Sequence, residues 1–111
     1  MNIFVLDVIP RIAAQYHCDK HVVKMILEST QILSTVIQKQ FPNTELYKAT
    51  HINHPCTIWA GNSKQNFQWL YNLTIALGHE YTKRYGKIHK SINVATNCYT
   101  YIEKLQFKKK N

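Results

Sequence analysis

A chain of 111 residues with 45% hydrophobic side chains can build one domain around a modest core, and it is too apolar for a disordered tail. No apolar run approaches the about 20 residues of a membrane span, and Met1–Leu6 lacks a basic leader and stops at Asp7, so neither a span nor a signal peptide is expected. A formal net charge of +8, with the eight cations of residues 83–111 opposed by Glu103 alone, favours a polyanionic partner, DNA or a nucleotide, and three cysteines without framework spacing favour reduced thiols.

Ile3, Phe4, Val5 and Leu6 are strand formers, so the chain should begin as an extended segment. Pro10 suits the first turn of a short helix, capped by Asp7 or the loop before it, with Ile12, Ala13 and Tyr16 on one face. Asp19 is placed to cap a second helix. From about Lys20 to Gln40 the period is helical. Val22, Ile26, Leu33 and Ile37 share a face and Val23, Leu27 and Val36 lie alongside, while Lys20, Lys24, Gln31 and Thr35 mark the polar side. Phe41-Pro42-Asn43-Thr44 ends this helix, and a polar loop carries Tyr47, Lys48 and His51. Pro55 should open a short helix over 55–60, stopped by Gly61, with Asn62 or Ser63 capping the next. A long helix follows from about Lys64 to Tyr85, with Phe67, Leu70, Thr74, Leu77 and Tyr81 as its stripe and Gly86 as a left-handed stop. Ser91 can cap a last helix over about 92–107, and Lys108–Lys110 should fray. No repeat and no second domain is visible. The expected fold is all-α: a compact helical bundle of three long helices, short connecting helices and an extended N-terminal segment, in a single domain over 1–111.

Titratable groups crowd the entrance of the second helix. His17, His21, Lys24 and Glu28 follow one another by steps of four, three and four, which makes one ridge. His21 and Glu28 then stand about 10 Å apart along the axis. A carboxylate there can steady a positive charge developing on a sugar or take a proton; the plain alternative is a solvated Lys24–Glu28 pair. His17, Cys18, His21, His51, His54 and Cys56 offer nitrogen and sulfur ligands for zinc, but no Cys-x-x-Cys pair or His-Glu-x-x-His arrangement is present and lysines stand among them, so no metal and no other cofactor is expected. Cys18 as a nucleophile lacks any recognisable oxyanion hole; Cys18 and Cys56 read more simply as small buried hydrophobes. Lys83-Arg84-Tyr85-Gly86-Lys87-Ile88-His89-Lys90-Ser91 gathers four permanent cations ahead of a helix N-terminus, a phosphate-binding arrangement with no Walker-type loop.

The order Met1-Asn2-Ile3-Phe4, Cys18-Asp19-Lys20-His21-Val22-Val23…Glu28, Tyr47…His51…Asn53-His54-Pro55…Trp59 and Glu80-Tyr81…Arg84-Tyr85-Gly86 resembles small proteins of large DNA viruses and bacteriophages. More distantly it is similar to the pyrimidine-dimer DNA glycosylases of the phage endonuclease V type, over about residues 1–90. The resemblance implies a helical, basic, DNA-binding glycosylase and AP lyase. In that family an N-terminal amine attacks the sugar C1′, a Schiff base forms, and the strand is cut with the help of a helix glutamate. Carried over, the amine is that of Met1, which the bulky Asn2 should protect from removal, and Glu28 and His21 are the other catalytic positions. Lys20, Lys24 and His54 would line the cleft, Lys83, Arg84, Lys87, His89 and Lys90 would hold phosphates, and Tyr47 or Trp59 would receive an extruded base. Two positions depart from the family pattern: Asn2 stands near a terminus that is otherwise small, and Leu27 occupies the place of an arginine directly before the glutamate. The alternatives are a non-catalytic viral protein that sequesters a nucleotide or nucleic acid, and a zinc-stabilised interaction module. A viral protein of either kind would work in the cytoplasm or nucleus of its host.

Overall fold

The computed structural model of the protein describes residues 3, 8–43 and 45–108. Among these residues the chain forms five helices and no strand: α1 (Pro10–Tyr16), α2 (Asp19–Gln38), α3 (Pro55–Asn62), α4 (Lys64–Tyr85) and α5 (Ser91–Tyr99). The all-α expectation therefore holds. The expected extended N-terminus and the frayed Lys109 and Lys110 lie outside the described residues, apart from Ile3, which packs against the core.

α2 is the centre of the molecule. Val22, Ile26, Leu33 and Ile37 are fully buried, as their shared phase requires, and meet Phe67, Leu70, Leu73 and Leu77 of α4 in one apolar cluster. From Ser29 to Ile37 only Gln31 escapes burial. Two expectations about its faces are corrected. Thr35, expected on the polar side, is buried: its hydroxyl donates to the Gln31 carbonyl at 2.8 Å, and accepts from the Thr50 N–H at 3.1 Å. Val23 and Leu27, expected beside the core, keep 39% and 38% of their surface exposed. The reason is where the neighbours arrive. α5 meets α2 at Ser34, which faces Cys98, and α3 meets it where Gly61 approaches Val36. Both lie in the C-terminal half, which is enclosed, while the N-terminal half keeps an open side.

The helix ends obey local chemistry. Ile9 precedes α1 without a side-chain cap, since Pro10 needs no partner for its missing N–H. Cys18, not Asp19, is the residue before α2, and it is exposed rather than buried. α3 continues past Gly61 to Asn62 because the break is made by Ser63, whose extended backbone (φ −146°, ψ 155°) ends one helix while its hydroxyl caps the next by accepting from Asn66 N–H at 3.1 Å. Gly86 stops α4 in the left-handed conformation (φ 71°), with its N–H donating to the Thr82 carbonyl at 2.8 Å. α5 is shorter than expected. After Tyr99 the bonds shift to i→i−3, from Thr100 to Asn97, Tyr101 to Cys98 and Ile102 to Tyr99. The tighter winding still brings Ile102 and Leu105 into the core.

Buried polar groups bond locally. The Thr30 and Thr74 hydroxyls donate to the Ile26 and Leu70 carbonyls. Burial pushes the Cys98 thiol up to about 11, against its contact with Ser34. His17, which ends α1, is 2% exposed and holds the Ala13 carbonyl at 2.7 Å. Burial lowers its pKa first of all; the Ala13 bond opposes this, and His21 and Arg84 add to it.

Two outcomes follow. A Cβ on Gly78 would stand 2.4 and 2.9 Å from the side-chain carbons of Ile92, so Gly78→Ala should lower the stability by about 1 kcal/mol, overpacking outweighing the gain in helix propensity. Adding Ile92→Val should recover most of the loss in thermal melts. The fold holds His17 neutral, so its contribution is complete above the unfolded value near 6.5 and fades as pH falls through the lower folded value. Urea midpoints should drop between pH 7.5 and pH 5.5, and His17→Gln should narrow that drop.

Candidate functional site

The ridge on α2 resolves into two environments. His17 turns inward and belongs to the α1–α2 corner, whereas His21, Lys24 and Glu28 stay on the rim. Lys24 is 62% exposed and its Nζ lies 3.9 Å from Glu28 Oε2, so the spacing does form a pair, though a long one. The Glu28 side chain is only 17% exposed. That figure separates it from a carboxylate on a solvated helix face. Lys20 stands exposed in the first turn of the same helix.

The basic segment after α4 is anchored at this rim. The His89 ring accepts from the Ser91 N–H at 3.1 Å, approaches the Val23 backbone of α2, and meets Tyr81 edge-on at 5.0 Å. Burial lowers its pKa; the Val23 bond opposes this and Lys90 assists it. His89 is thus a cap and a strut as well as a member of the basic run. Through it, exposed Lys87 and Lys90 come beside the α2 face that carries Lys20, Val23, Lys24 and Leu27. Lys83 lies on the last turns of α4, also exposed.

Arg84 plays a different part from its basic neighbours. Its Nε donates to Glu80 Oε1 at 2.9 Å, its Nη1 to Asp19 Oδ1 at 2.9 Å, and its Nη2 to the Gln15 carbonyl at 3.3 Å. Burial disfavours the charged guanidinium, but Glu80 and then Asp19 outweigh it and raise the pKa above the ordinary arginine value. The donors expected to meet phosphate already hold three helices together. His54 is likewise a cap, its Nδ1 accepting from Cys56 N–H at 3.1 Å at the start of α3. Tyr47 is half-buried and its hydroxyl pairs with Ser91 Oγ at 2.8 Å, so Ser91 ties a loop down rather than capping α5.

Trp59 stands apart from the basic end. It meets Trp69 edge-on at 6.2 Å, and Trp69 donates from its indole nitrogen to the Val8 carbonyl at 2.8 Å. Trp69 and Lys83 are fourteen residues apart on α4, about 21 Å along its axis. With Ile3, Pro55 and Cys56, Trp59 lines an apolar cavity of about 300 Å³. Ile3, on the wall of this cavity, is two positions after Met1 in the sequence. Met1 itself lies outside the described residues.

The structure therefore brings the loop carrying Lys87, His89 and Lys90 to the Val23 turn of α2, the helix that also carries His21, Lys24 and Glu28, and places Trp59 and His54 at α3. Sequence reasoning missed the Arg84 clamp and the two histidine caps. Each had a signal: Glu80 and Arg84 are four apart, and His54-Pro55-Cys56 and His89-Lys90-Ser91 share the two-residue step from ring to capped amide. Among the described residues no three histidine, cysteine or acidic side chains converge on a possible metal, and no helix is long and apolar enough to cross a membrane.

A family model described as pyrimidine dimer DNA glycosylase matches residues 1–94. No curated protein and no solved structure matches the chain. The matched region takes in the first four helices, the ridge around Glu28 and the whole basic loop. The chain belongs to the pyrimidine dimer DNA glycosylase family.

Proposed function

We propose that the protein is a DNA glycosylase and AP lyase, working through the α-amine of Met1 and the carboxylate of Glu28. The observation that carries this reading is Glu28 itself: a mostly buried carboxylate on a rim otherwise lined by cations, seven residues after His21. Glu80, equally buried, has its guanidinium at 2.9 Å, whereas the lysine beside Glu28 stays 3.9 Å away and 62% exposed.

In this reading the amine attacks C1′ of the damaged nucleotide as the base departs with its bonding electrons. An α-amino group titrates near pH 7.7–8.0, so a useful fraction is unprotonated at neutral pH. The sugar ring then opens, the C1′–O4′ bond breaking and O4′ taking a proton as the nitrogen lone pair forms the protonated imine; this makes the C2′ proton acidic, and its loss to a base expels the 3′ phosphate. Glu28 steadies the positive charge that grows on the sugar and can carry the proton; His21 lies about two turns away on the same side. Lys20, Lys24, Lys83, Lys87 and Lys90 meet the phosphates, with His89 and Arg84 keeping those cations in place. The cavity beside Trp59 is suited to an extruded base, since it is apolar and reachable from the N-terminus. Tyr47, beside the start of α5, serves to support the loop. A second reading, a viral binder that sequesters nucleic acid or a nucleotide without chemistry, is favoured by one observation: Leu27 replaces the family's arginine before the glutamate.

Borohydride reduction in the presence of abasic duplex DNA distinguishes the two. A covalent adduct is expected with the intact protein, an adduct yield or rate at least about a hundredfold lower with Glu28→Gln, and none after the Met1 amine is blocked. An adduct indifferent to both changes would sink the mechanism. The lysines are tested by salt. Lys87→Gln and Lys90→Gln should each reduce the slope of log affinity against log salt by about 0.9, with little dependence on DNA sequence.

A further inference from the structure

At the tip of the basic loop stands one large apolar residue. In Gly86-Lys87-Ile88-His89-Lys90, Ile88 leaves 74% of its surface in water. A lone exposed isoleucine is ordinary. A tightly built loop that holds one out is less so. Gly86 turns the chain with a left-handed residue bonded to Thr82, and His89 is fixed by the Ser91 amide, the Val23 backbone and the Tyr81 ring. Ile88 sits between these two fixed points, so much of the ordering of its backbone is complete before any partner arrives.

The surroundings say what the partner is. Arg84 ties the end of α4 to Asp19 at the start of α2, the His89 ring approaches the Val23 backbone, and Val23 and Leu27 form an exposed apolar strip along α2. Lys87 and Lys90 flank Ile88, and Lys20 and Lys24 flank Val23. An aliphatic tip between cations matches a base stack between two phosphate strands. A protein partner would need an acidic rim around an apolar socket. Wedges of this type, commonly Ile, Leu, Met or Phe, part base steps in DNA-bending proteins.

The position fits the reaction. Val23 and Glu28 are five residues apart on α2, about 7.5 Å along its axis. That is on the order of two base-pair steps at 3.4 Å each. We propose that Ile88 is a positioning residue which enters the DNA stack beside the nucleotide presented to Glu28 and holds the opened step apart. This rests on the reading of the protein as an enzyme of duplex DNA, and it adds a residue that acts through the substrate's shape rather than on the reacting atoms.

The test uses a duplex with 2-aminopurine next to a tetrahydrofuran abasic analogue, and borohydride trapping on abasic duplex and abasic single strand. With the intact protein the fluorescence should rise as the stack opens. Ile88→Ala should lose most of that rise and be trapped on duplex about tenfold more slowly, yet be trapped on single strand at the unchanged rate. Ile88→Leu should restore both duplex readouts. Because Ile88 is exposed, thermal melts of both variants should match the parent. If the intact protein is trapped on duplex and Ile88→Ala behaves identically, or if single-strand trapping falls equally, the wedge is wrong and the enzyme stands. If the intact protein is trapped on neither substrate, the wedge falls together with the reading beneath it.

Discussion

One guanidinium sets the corner from which the rest of the molecule is laid out. Arg84, near the end of α4, takes the side chain of Glu80 on its own helix, the first residue of α2 and the last turn of α1. Few side chains but arginine could do this, because the planar fork offers several donors in fixed directions. The energies are unequal. Asp19 is 75% exposed, so its bond is worth little in water. Glu80 is 13% exposed, and without Arg84 it would be left as a partly buried charge. The clamp thus fixes the start of α2 more through geometry than through the strength of any one pair. The face that carries Glu28 is set by the buried phase of Val22, Ile26, Leu33 and Ile37.

Acidic residues are scarce in this chain, and their placement is informative for that reason. Asp19 and Glu80 serve the clamp, and Glu103 pairs with Lys64 at 2.6 Å on the surface. Glu28 is set into the rim instead. Scarcity also explains the caps. Aspartate is the usual cap acceptor, but an aspartate beside Lys87 and Lys90 would cancel part of the positive surface. At two helix starts an imidazole nitrogen accepts the amide instead, His54 for α3 and His89 for α5. The ring preserves the local charge and, at His89, also reaches across to α2. A capping ring must keep one nitrogen unprotonated, which ties the rigidity of the basic loop to pH from neutrality downward.

Much of the fold was legible because periodicity reports phase. Val22, Ile26, Leu33 and Ile37 in α2 and Phe67, Leu70 and Leu77 in α4 lie where their spacing puts them, and Gly86 stops α4 as a residue free of Cβ strain should. Phase does not report which neighbours will arrive. Thr35 was misread because a loop covers it, and Val23 and Leu27 because nothing does. The early end of α5 was hidden for a similar reason: Ile102 reaches the core from an i→i−3 turn as well as from a helix. For the site, the His21–Lys24–Glu28 ridge and the basic loop were visible as residues. Their junction was not, since it depends on the approach of a ring to a backbone 66 positions away. The burial of Glu28 was equally invisible, because i, i+4 spacing looks the same on a wet face and in a rim.

Leu27 gives this junction a further meaning. In the family pattern an arginine precedes the glutamate, where it can grip a phosphate beside the reacting sugar. Here that place is held by a leucine with 38% of its surface exposed, one turn from Val23. A cation has been exchanged for apolar surface on the rim that a substrate must cross. The cations themselves sit one step further out, on a loop that is fixed to the rim by His89. The two changes are complementary. In the proposed reaction Lys87 and Lys90 would draw phosphates to the periphery, and the space nearest Glu28 would be left to groups that prefer apolar contact, the faces of sugars and bases. Such a rim would exclude water from the neighbourhood of the carboxylate better than an arginine. In that drier setting a single negative charge would act more strongly on a sugar that is becoming positive.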